Sequence, residues 1–314
     1  MSEFDLIQRY FTRPAPSATL GVGDDAALLC TGDGMELAVS SDMLVSGTHF
    51  LADTDPFRLG HKALAVNLSD MASMGAVPRW ATLALALPRA EEDWLQRFSA
   101  GFFALADAHG VELVGGDTTR GPLNICVTIM GEVPRGQALR RDGAKVGDDI
   151  WVSGVLGMAA LGLAHTKGEF VLDGVTRDMC LAALQQPQPR VALGLALRGI
   201  ARSAIDISDG LLADLGHILE RSAVGAEVNL ESLPVMQQGV AQPDAQRCAL
   251  TGGDDYELCF TAPVAARGTL AALAAQLALP LTHIGQIRAG YDCVLHDAAG
   301  KQIKIEKTGY DHFA

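Results

Sequence analysis

Ala204-Ile205-Asp206-Ile207-Ser208-Asp209-Gly210, with the helical pattern that follows it to Ser222, decides the fold class. An apolar strand, Ala204 to Ile207, passes through a short polar turn straight into a helix predicted over Asp209 to Ser222. Strands that alternate with helices in this way build α/β and α+β domains. The same stretch raises a chemical question. Asp206 stands between two isoleucines, against β-propensity. Asp209 and Ser208 sit where the helix begins, and an acid at that place can also serve only the helix dipole.

Working outward, the pattern repeats. Toward the C-terminus, strands are predicted near Ala226 to Leu230, Tyr256 to Thr261 and Thr282 to Ile287. An Ala/Leu-rich helix precedes the last of these, and a hairpin at Ala299-Gly300 follows it. Upstream lie a strand at Ile150 to Ser153 and helices near Met158 to His165, Thr176 to Gln185 and Arg190 to Ala201. Earlier still, Ala26 to Cys30 and Met35 to Ser40 read as strands joined by Gly32-Asp33-Gly34. Asp55-Pro56 opens a helix that ends near Gly75. Further elements follow: a strand at Trp80 to Leu87, a helix from Glu91 to His109 closed by Gly110, and strands at Val111 to Val114 and Asn124 to Val133. The polar run Arg140 to Asp148 separates the halves, giving expected domains 1–145 and 146–314.

Composition narrows the function classes. A chain of 314 residues makes about two domains, and 49% apolar content excludes global disorder. With 24 Lys and Arg against 37 Asp and Glu, the net charge is −13, which argues against a nucleic-acid partner. No apolar run approaches the ~18–20 residues that span a bilayer, so no membrane partner is expected. Met1-Ser2-Glu3-Phe4-Asp5 lacks the features of a secretory signal, and six cysteines are scattered without a Cys-x-x-Cys. These features suit reduced thiols in the cytoplasm.

The acids recur beside glycine and serine, in places read as the ends of apolar strands. The instances are Gly23-Asp24-Asp25, Ser40-Ser41-Asp42, Ser69-Asp70, Gly115-Gly116-Asp117, Ser208-Asp209-Gly210 and Gly252-Gly253-Asp254-Asp255. Asp and Gly are also ordinary turn residues, and Gly147-Asp148-Asp149 is read as a turn alone. Asp70 is different. It falls near the C-terminal end of its helix, where an acid is disfavoured by ~0.3–1 kcal/mol. Its neighbours Ala65 to Ser69 and Met71-Ala72 are small and largely apolar, as in a buried helix. A carboxylate there needs a partner, and a cation from solution supplies one. Asp and Ser oxygens suit Mg²⁺ or Ca²⁺ rather than zinc.

Other motifs fail. Gly21 to Ala26 matches G-x-G-x-x-A, but Gly32-Asp33-Gly34 breaks the chain where a dinucleotide fold needs a long helix. The chain has no P-loop and no Gly-x-Ser-x-Gly elbow. Among the histidines, His49 stands out, in Ser46-Gly47-Thr48-His49-Phe50.

Taken in order, Gly21-Val22-Gly23-Asp24-Asp25, Asn67-Leu68-Ser69-Asp70-Met71-Ala72, Gly115-Gly116-Asp117-Thr118-Thr119, Ile205 to Leu211, Asp255-Tyr256-Glu257-Leu258 and Gly309-Tyr310-Asp311-His312-Phe313 carry a family resemblance. The chain resembles the thiamine-monophosphate kinase family, within the superfamily of aminoimidazole-ribonucleotide synthetase-like ATP-binding proteins. The resemblance implies a two-domain α/β (α+β) fold and a homodimer in which the N-terminal sheets close a barrel. It implies ATP and thiamine monophosphate as substrates, several Mg²⁺ ions and direct in-line phosphoryl transfer without a general base. Asp25, Ser40, Ser41, Asp42, Asp70, Asp117, Asp206 and Asp209 match its metal ligands. Gly116, Asp117, Arg141 and Ser208 match its nucleotide contacts, and His49, Asp254 and Tyr310 its substrate contacts. Asp254 departs from the family pattern, which has Glu there. The tail from Gly309 is expected to close over the thiamine. Two rival readings are a synthetase of the same superfamily that activates a carbonyl or selenide, and a non-catalytic module that binds cations or nucleotides. Against the first, no Cys precedes the first glycine motif and the sequence ends His312-Phe313-Ala314.

Overall fold

The computed structural model describes residues 3–22, 26–303 and 309–310. It divides into two compact units: residues 1–71 with 76–136, and residues 72–75 with 137–314. No helix of the described residues is long and apolar enough to cross a membrane.

Unit 1 holds helix α1 (Glu3–Tyr10), strand β1 (Met35–Val45), α2 (Pro56–Ser73), β2 (Val77–Leu87), α3 (Glu92–His109), β3 (Glu112–Arg120) and β4 (Asn124–Pro134). Its four-stranded sheet runs β1-β4-β2-β3; only the β2–β3 pair is parallel. The expected helix start holds, because Asp55 Oδ1 accepts the Arg58 N–H at 3.1 Å ahead of Pro56. Gly110 closes α3 in the left-handed region, φ +66°.

Three expectations need correction. Ala26 to Cys30 forms no strand; its one sheet-like contact is an isolated bridge between Leu28 and Leu20. Ser40-Ser41-Asp42 and Gly115-Gly116-Asp117 lie inside strands rather than at their ends, since β1 runs on to Val45 and β3 to Arg120. Both are edge strands, where glycine and small polar residues interrupt little.

The sheet faces follow from register. In β1, Ala38, Ser40, Asp42 and Leu44 lie opposite Gly131, Ile129, Val127 and Ile125 of β4, all buried. This inner face is covered by α2: a Cβ added at Gly131 would stand 2.7 Å from the Met71 sulfur. Leu37, Val39, Ser41 and Met43 occupy the outer face, and all four are exposed.

Unit 2 contains β5 (Asp149–Ser153), α4 (Met158–Thr166), α5 (Gly174–Gln185), α6 (Val191–Leu197), β6 (Ser203–Asp206), α7 (Leu211–Ser222), β7 (Gly225–Asn229), α8 (Gln242–Thr251), β8 (Leu258–Ala262), α9 (Arg267–Leu277), β9 (Leu281–Arg288), β10 (Cys293–His296) and β11 (Gln302–Ile303). Its seven-stranded sheet runs β11-β10-β7-β9-β5-β8-β6. Ile150, Val152, Ile205, Cys259 and Ile284 from the sheet pack with Leu211, Leu215 and Ile218 of α7 in one core. Helix α7 begins at Leu211, two residues later than predicted, so Asp209 lies in the turn before it. Helix α6 ends at Leu197, short of the predicted Ala201, because Arg198 is extended and Gly199 takes φ +74°.

Candidate functional site

In unit 1, α2 is buried at every residue from Leu59 to Ser69, and Asp70 is the first that reaches partway to solvent. The Ser40 hydroxyl donates to Asp70 Oδ2. Asp42 shares the inner face with Ser40, two residues along β1. Strand and helix thus bring Ser40 and Asp70 into contact and put Asp42 beside them. Ser41 lies on the opposite face, its hydroxyl 2.6 Å from that of Thr128.

Asp117 lies on that outer face too. Ala84 pairs with both Asp117 and Cys126, and Cys126 pairs with Met43, which makes one cross-strand row. Asp117 is exposed. Gly116 precedes it at φ +149°, and a Cβ there would stand 1.9 Å from the Leu83 carbonyl oxygen. The parallel β2–β3 pairing therefore demands glycine, whatever else the position does. Asp25 lies outside the described residues.

His49 is locked in the turn after β1. Its main-chain N–H donates to the Val45 carbonyl, and its Nδ1 accepts the Val45 N–H, both at 3.0 Å. An accepting Nδ1 leaves the ring proton on Nε2. The buried Lys62 donates from Nζ to the His49 carbonyl at 3.3 Å.

In unit 2, Asp206 ends β6 and is 5% exposed. The turn after it is fixed from three directions. Asp214, in the first turn of α7, accepts the N–H groups of Ser208, Asp209 and Gly210 on its Oδ2 at 3.0, 3.1 and 3.2 Å. The Asp254 N–H donates to the Ser208 carbonyl at 2.9 Å. The Tyr310 N–H donates to the Asp209 carbonyl at 3.0 Å. Burial, with repulsion from Asp206 and Asp209, pushes the Asp214 carboxyl up to about 7 despite the bonds it accepts.

The stretch Asp254-Asp255-Tyr256-Glu257 divides its labour. Asp254 and Tyr256 both hold positive φ, +69° and +51°, uncommon for such residues, and the Tyr256 hydroxyl donates to Asp254 Oδ1 at 2.9 Å. Asp255 turns inward, accepts the Gly157 N–H at 2.7 Å and so caps α4. Burial pushes its carboxyl well above the usual carboxylate range. Glu257 accepts from Nε and Nη2 of the Arg190 guanidinium and, at 2.5 Å, from the Ser153 hydroxyl. Two of the four acidic and aromatic positions are therefore structural anchors.

Arg141 opens a 3-10 turn and lines a cavity of about 480 Å³ with Met74, Arg140, Asp142, His217 and Arg221. Asp142 takes the Arg140 guanidinium at 3.0 and 2.5 Å. Among the described residues no acid pairs with Arg141 or Arg221, which leaves this part of an acidic protein open to an anion.

Among the described residues no three His, Cys, Asp or Glu side chains form a ready-made metal cage. What they offer is hard oxygen in smaller groups, a Ser–Asp contact in unit 1 and mutually repelling carboxylates in unit 2. That donor chemistry fits Mg²⁺, which keeps several ligands from water or substrate phosphate. Sequence reasoning missed Asp214, His217 and Arg221. Asp214 looks like an ordinary first-turn helix acid, and nothing in spacing shows that α7 carries the other two to Arg141.

The chain matches the family models described as AIR synthase related protein, N-terminal domain, over residues 23–133 and C-terminal domain over residues 145–297. It is 48% identical over 321 residues to the thiamine-monophosphate kinase of Escherichia coli (strain K12), covering 99% of this chain and 98% of that protein. The crystal structure of thiamine-monophosphate kinase from Stenotrophomonas maltophilia K279a superposes with a TM-score of 0.85 at 50% identity, over 96% of each chain. The structure of AaThiL complexed with AMPPCP and TMP superposes with a TM-score of 0.79 at 31% identity, over 90% of this chain and 89% of that one.

Proposed function

Because the chain belongs to the thiamine-monophosphate kinase family of AIR synthase-related proteins, we propose a division of its residues between metal, nucleotide and thiamine phosphate. The protein is an enzyme that phosphorylates thiamine monophosphate with ATP, yielding thiamine diphosphate and ADP. The acceptor is a phosphate oxygen, and a phosphate monoester with a second pKa near 6 is mostly ionised at neutral pH. No side chain need take a proton. The obstacle is repulsion between two anions.

Asp25, Ser40, Asp42, Asp70 and Asp117 of unit 1, with Asp206 and Asp209 of unit 2, hold magnesium in this reading. Ser41, on the outer face with Asp117, belongs to the same set, its hydroxyl also 2.6 Å from that of Thr128. Bound magnesium neutralises phosphate charge and orients the transferring group. Ser208 and the backbone at Gly116 contact the nucleotide, and Arg141 meets its negative charge beside Arg221. His49 donates from Nε2 to the thiamine phosphate, Asp254 contacts the same substrate, and Tyr310 lies against its ring system.

A homodimer suits the free edge of β1, where Leu37, Val39 and Met43 leave apolar surface exposed. Free cysteines and an ATP requirement suit the cytoplasm.

The observation that carries the metal assignment is the crowding of Asp206, Asp209 and Asp214 around one turn; burial first, and then repulsion from the other two, raise Asp214 to about 7. Such repulsion is relieved by a bound cation. The test is ADP release with and without thiamine monophosphate, before and after chelation. Turnover that needs the acceptor and stops on chelation is expected. Full turnover in metal-free buffer refutes the metal assignment, and ADP release indifferent to the acceptor refutes the substrate.

A further inference from the structure

The carboxylate of Asp214 is 3% exposed and gathers three consecutive main-chain N–H groups, those of Ser208, Asp209 and Gly210, on a single oxygen. At 3.0 to 3.2 Å each is an ordinary bond, and it is their number that counts. Three on one atom fix the peptide planes of the whole turn. Its carbonyls are tied as well, Ser208 to the Asp254 N–H and Asp209 to the Tyr310 N–H. With both sides of the backbone held, the side chains of Ser208 and Asp209 are the part of the turn left to act.

The arrangement also changes what the start of α7 offers a ligand. Unused N–H groups at a helix start ordinarily attract phosphate. Here Asp214 consumes the N–H of Gly210, the residue that caps α7, together with those of Ser208 and Asp209 before it, and an anion approaching this turn meets carboxylates. A device for stability alone would not place a buried acid against Asp206 and Asp209, because an uncharged acceptor satisfies the same N–H groups without the repulsion.

We propose that Asp214 is a positioning residue for phosphoryl transfer, which holds the Ser208–Gly210 turn so that Ser208 and Asp209 present their side chains to nucleotide and metal. This rests on the assignment of those two residues above. Asp214 itself touches neither substrate nor metal.

The test compares Asp214→Ala, Asp214→Asn and Asp209→Asn in the full chain, reading kcat, the magnesium concentration for half-maximal rate, and the melting temperature. Asp214→Ala frees the turn, so kcat should fall at least about 30-fold and the magnesium requirement should rise several-fold. Asp214→Asn keeps an acceptor oxygen for the three N–H groups and should return kcat to within roughly tenfold of the parent. A purely structural role lowers the melting temperature of Asp214→Ala while the folded enzyme keeps parental kcat and magnesium requirement; that result overturns the proposal. If Asp214→Ala does not fold, Asp214→Asn decides. A folded Asn variant within roughly tenfold of parental kcat supports positioning, and a greater loss overturns it. Asp209→Asn tests the underlying assignment. If it is silent, the metal reading fails and the inference with it. If it is impaired while Asp214→Ala is parental, only the positioning role fails.

Discussion

The main-chain N–H of Tyr310 donates to the carbonyl of Asp209 at 3.0 Å, which ties Tyr310 to the turn before α7. A Cβ added at the preceding Gly309 would stand 2.5 Å from the Ala213 Cβ, so Gly309 lies close on the helix. The Tyr310 side chain remains about half exposed, 48%. A backbone anchored at Asp209 and a ring half open to solvent give Tyr310 an aromatic face to offer a flat cation.

Thiazolium is a permanent cation, and an aromatic face over it contributes ~0.5–2 kcal/mol. Tyr310→Ala should raise the KM for thiamine monophosphate several-fold and leave that for ATP nearly unchanged. Tyr310→Phe should be mild. Calorimetry that finds parental binding of thiamine monophosphate by the Ala variant removes the tail from recognition.

The Ser40–Asp70 contact makes a second expectation. Asp70→Asn keeps the shape and the acceptor but loses a charge, so kcat should drop by ~10²-fold or more. The unliganded fold should be retained or slightly stabilised as carboxylate repulsion falls. Thermal melts beside steady-state kinetics check this. An Asn variant that unfolds, with normal kcat in the folded remainder, makes Asp70 a structural acid instead.

Arg221→Ala should weaken nucleotide binding, because it removes one of the two guanidinium groups in the Arg141 cavity that have no acid partner among the described residues. The KM for ATP should rise roughly tenfold, about 1.4 kcal/mol, with a smaller change for thiamine monophosphate. Equal KM values for ATP in variant and parent would detach this cavity from the nucleotide.

Asp255 gives a pH dependence. Burial raises its carboxyl well above the ordinary value, so the folded protein retains a proton that the unfolded chain releases. The stability it contributes is complete below the unfolded value near 4 and is lost as pH rises toward the folded value. Asp255→Asn accepts the same Gly157 N–H and does not titrate. Its melting temperature should match the parent near about pH 4 and exceed it increasingly toward neutrality. A constant difference across that range contradicts the buried-proton account.

The sequence carried the helix limits where they are chemical: Asp55 before Pro56 starts α2, and Gly110 after His109 stops α3. It carried strand limits less well. Ser40 to Asp42 and Gly115 to Asp117 look like loop sequences, and only pairing to β4 and β2 makes them strand. The acids themselves were legible, but not the face each one takes. Ser41 cannot be separated from Ser40 without knowing which side α2 covers. Asp255 stands in one of the glycine-acid clusters and Glu257 in a family motif, and only tertiary partners, the Gly157 N–H and Arg190, show them to be anchors. Asp214 was invisible for the reverse reason, since its partners are backbone groups that leave no trace in residue type.

Strand β1 writes its message in alternate letters. Ser40 and Asp42 face α2, whereas Leu37, Val39, Ser41 and Met43 face away. Sliding this edge strand by one residue against β4 would keep nearly every ladder hydrogen bond yet exchange the two faces. The hydroxyl and carboxylate would then point outward, and valine and methionine would confront Asp70. The alignment of one border strand is therefore itself chemical information. A lesion that shifts it, even far from any ligand, would leave a folded protein whose reactive groups look the wrong way.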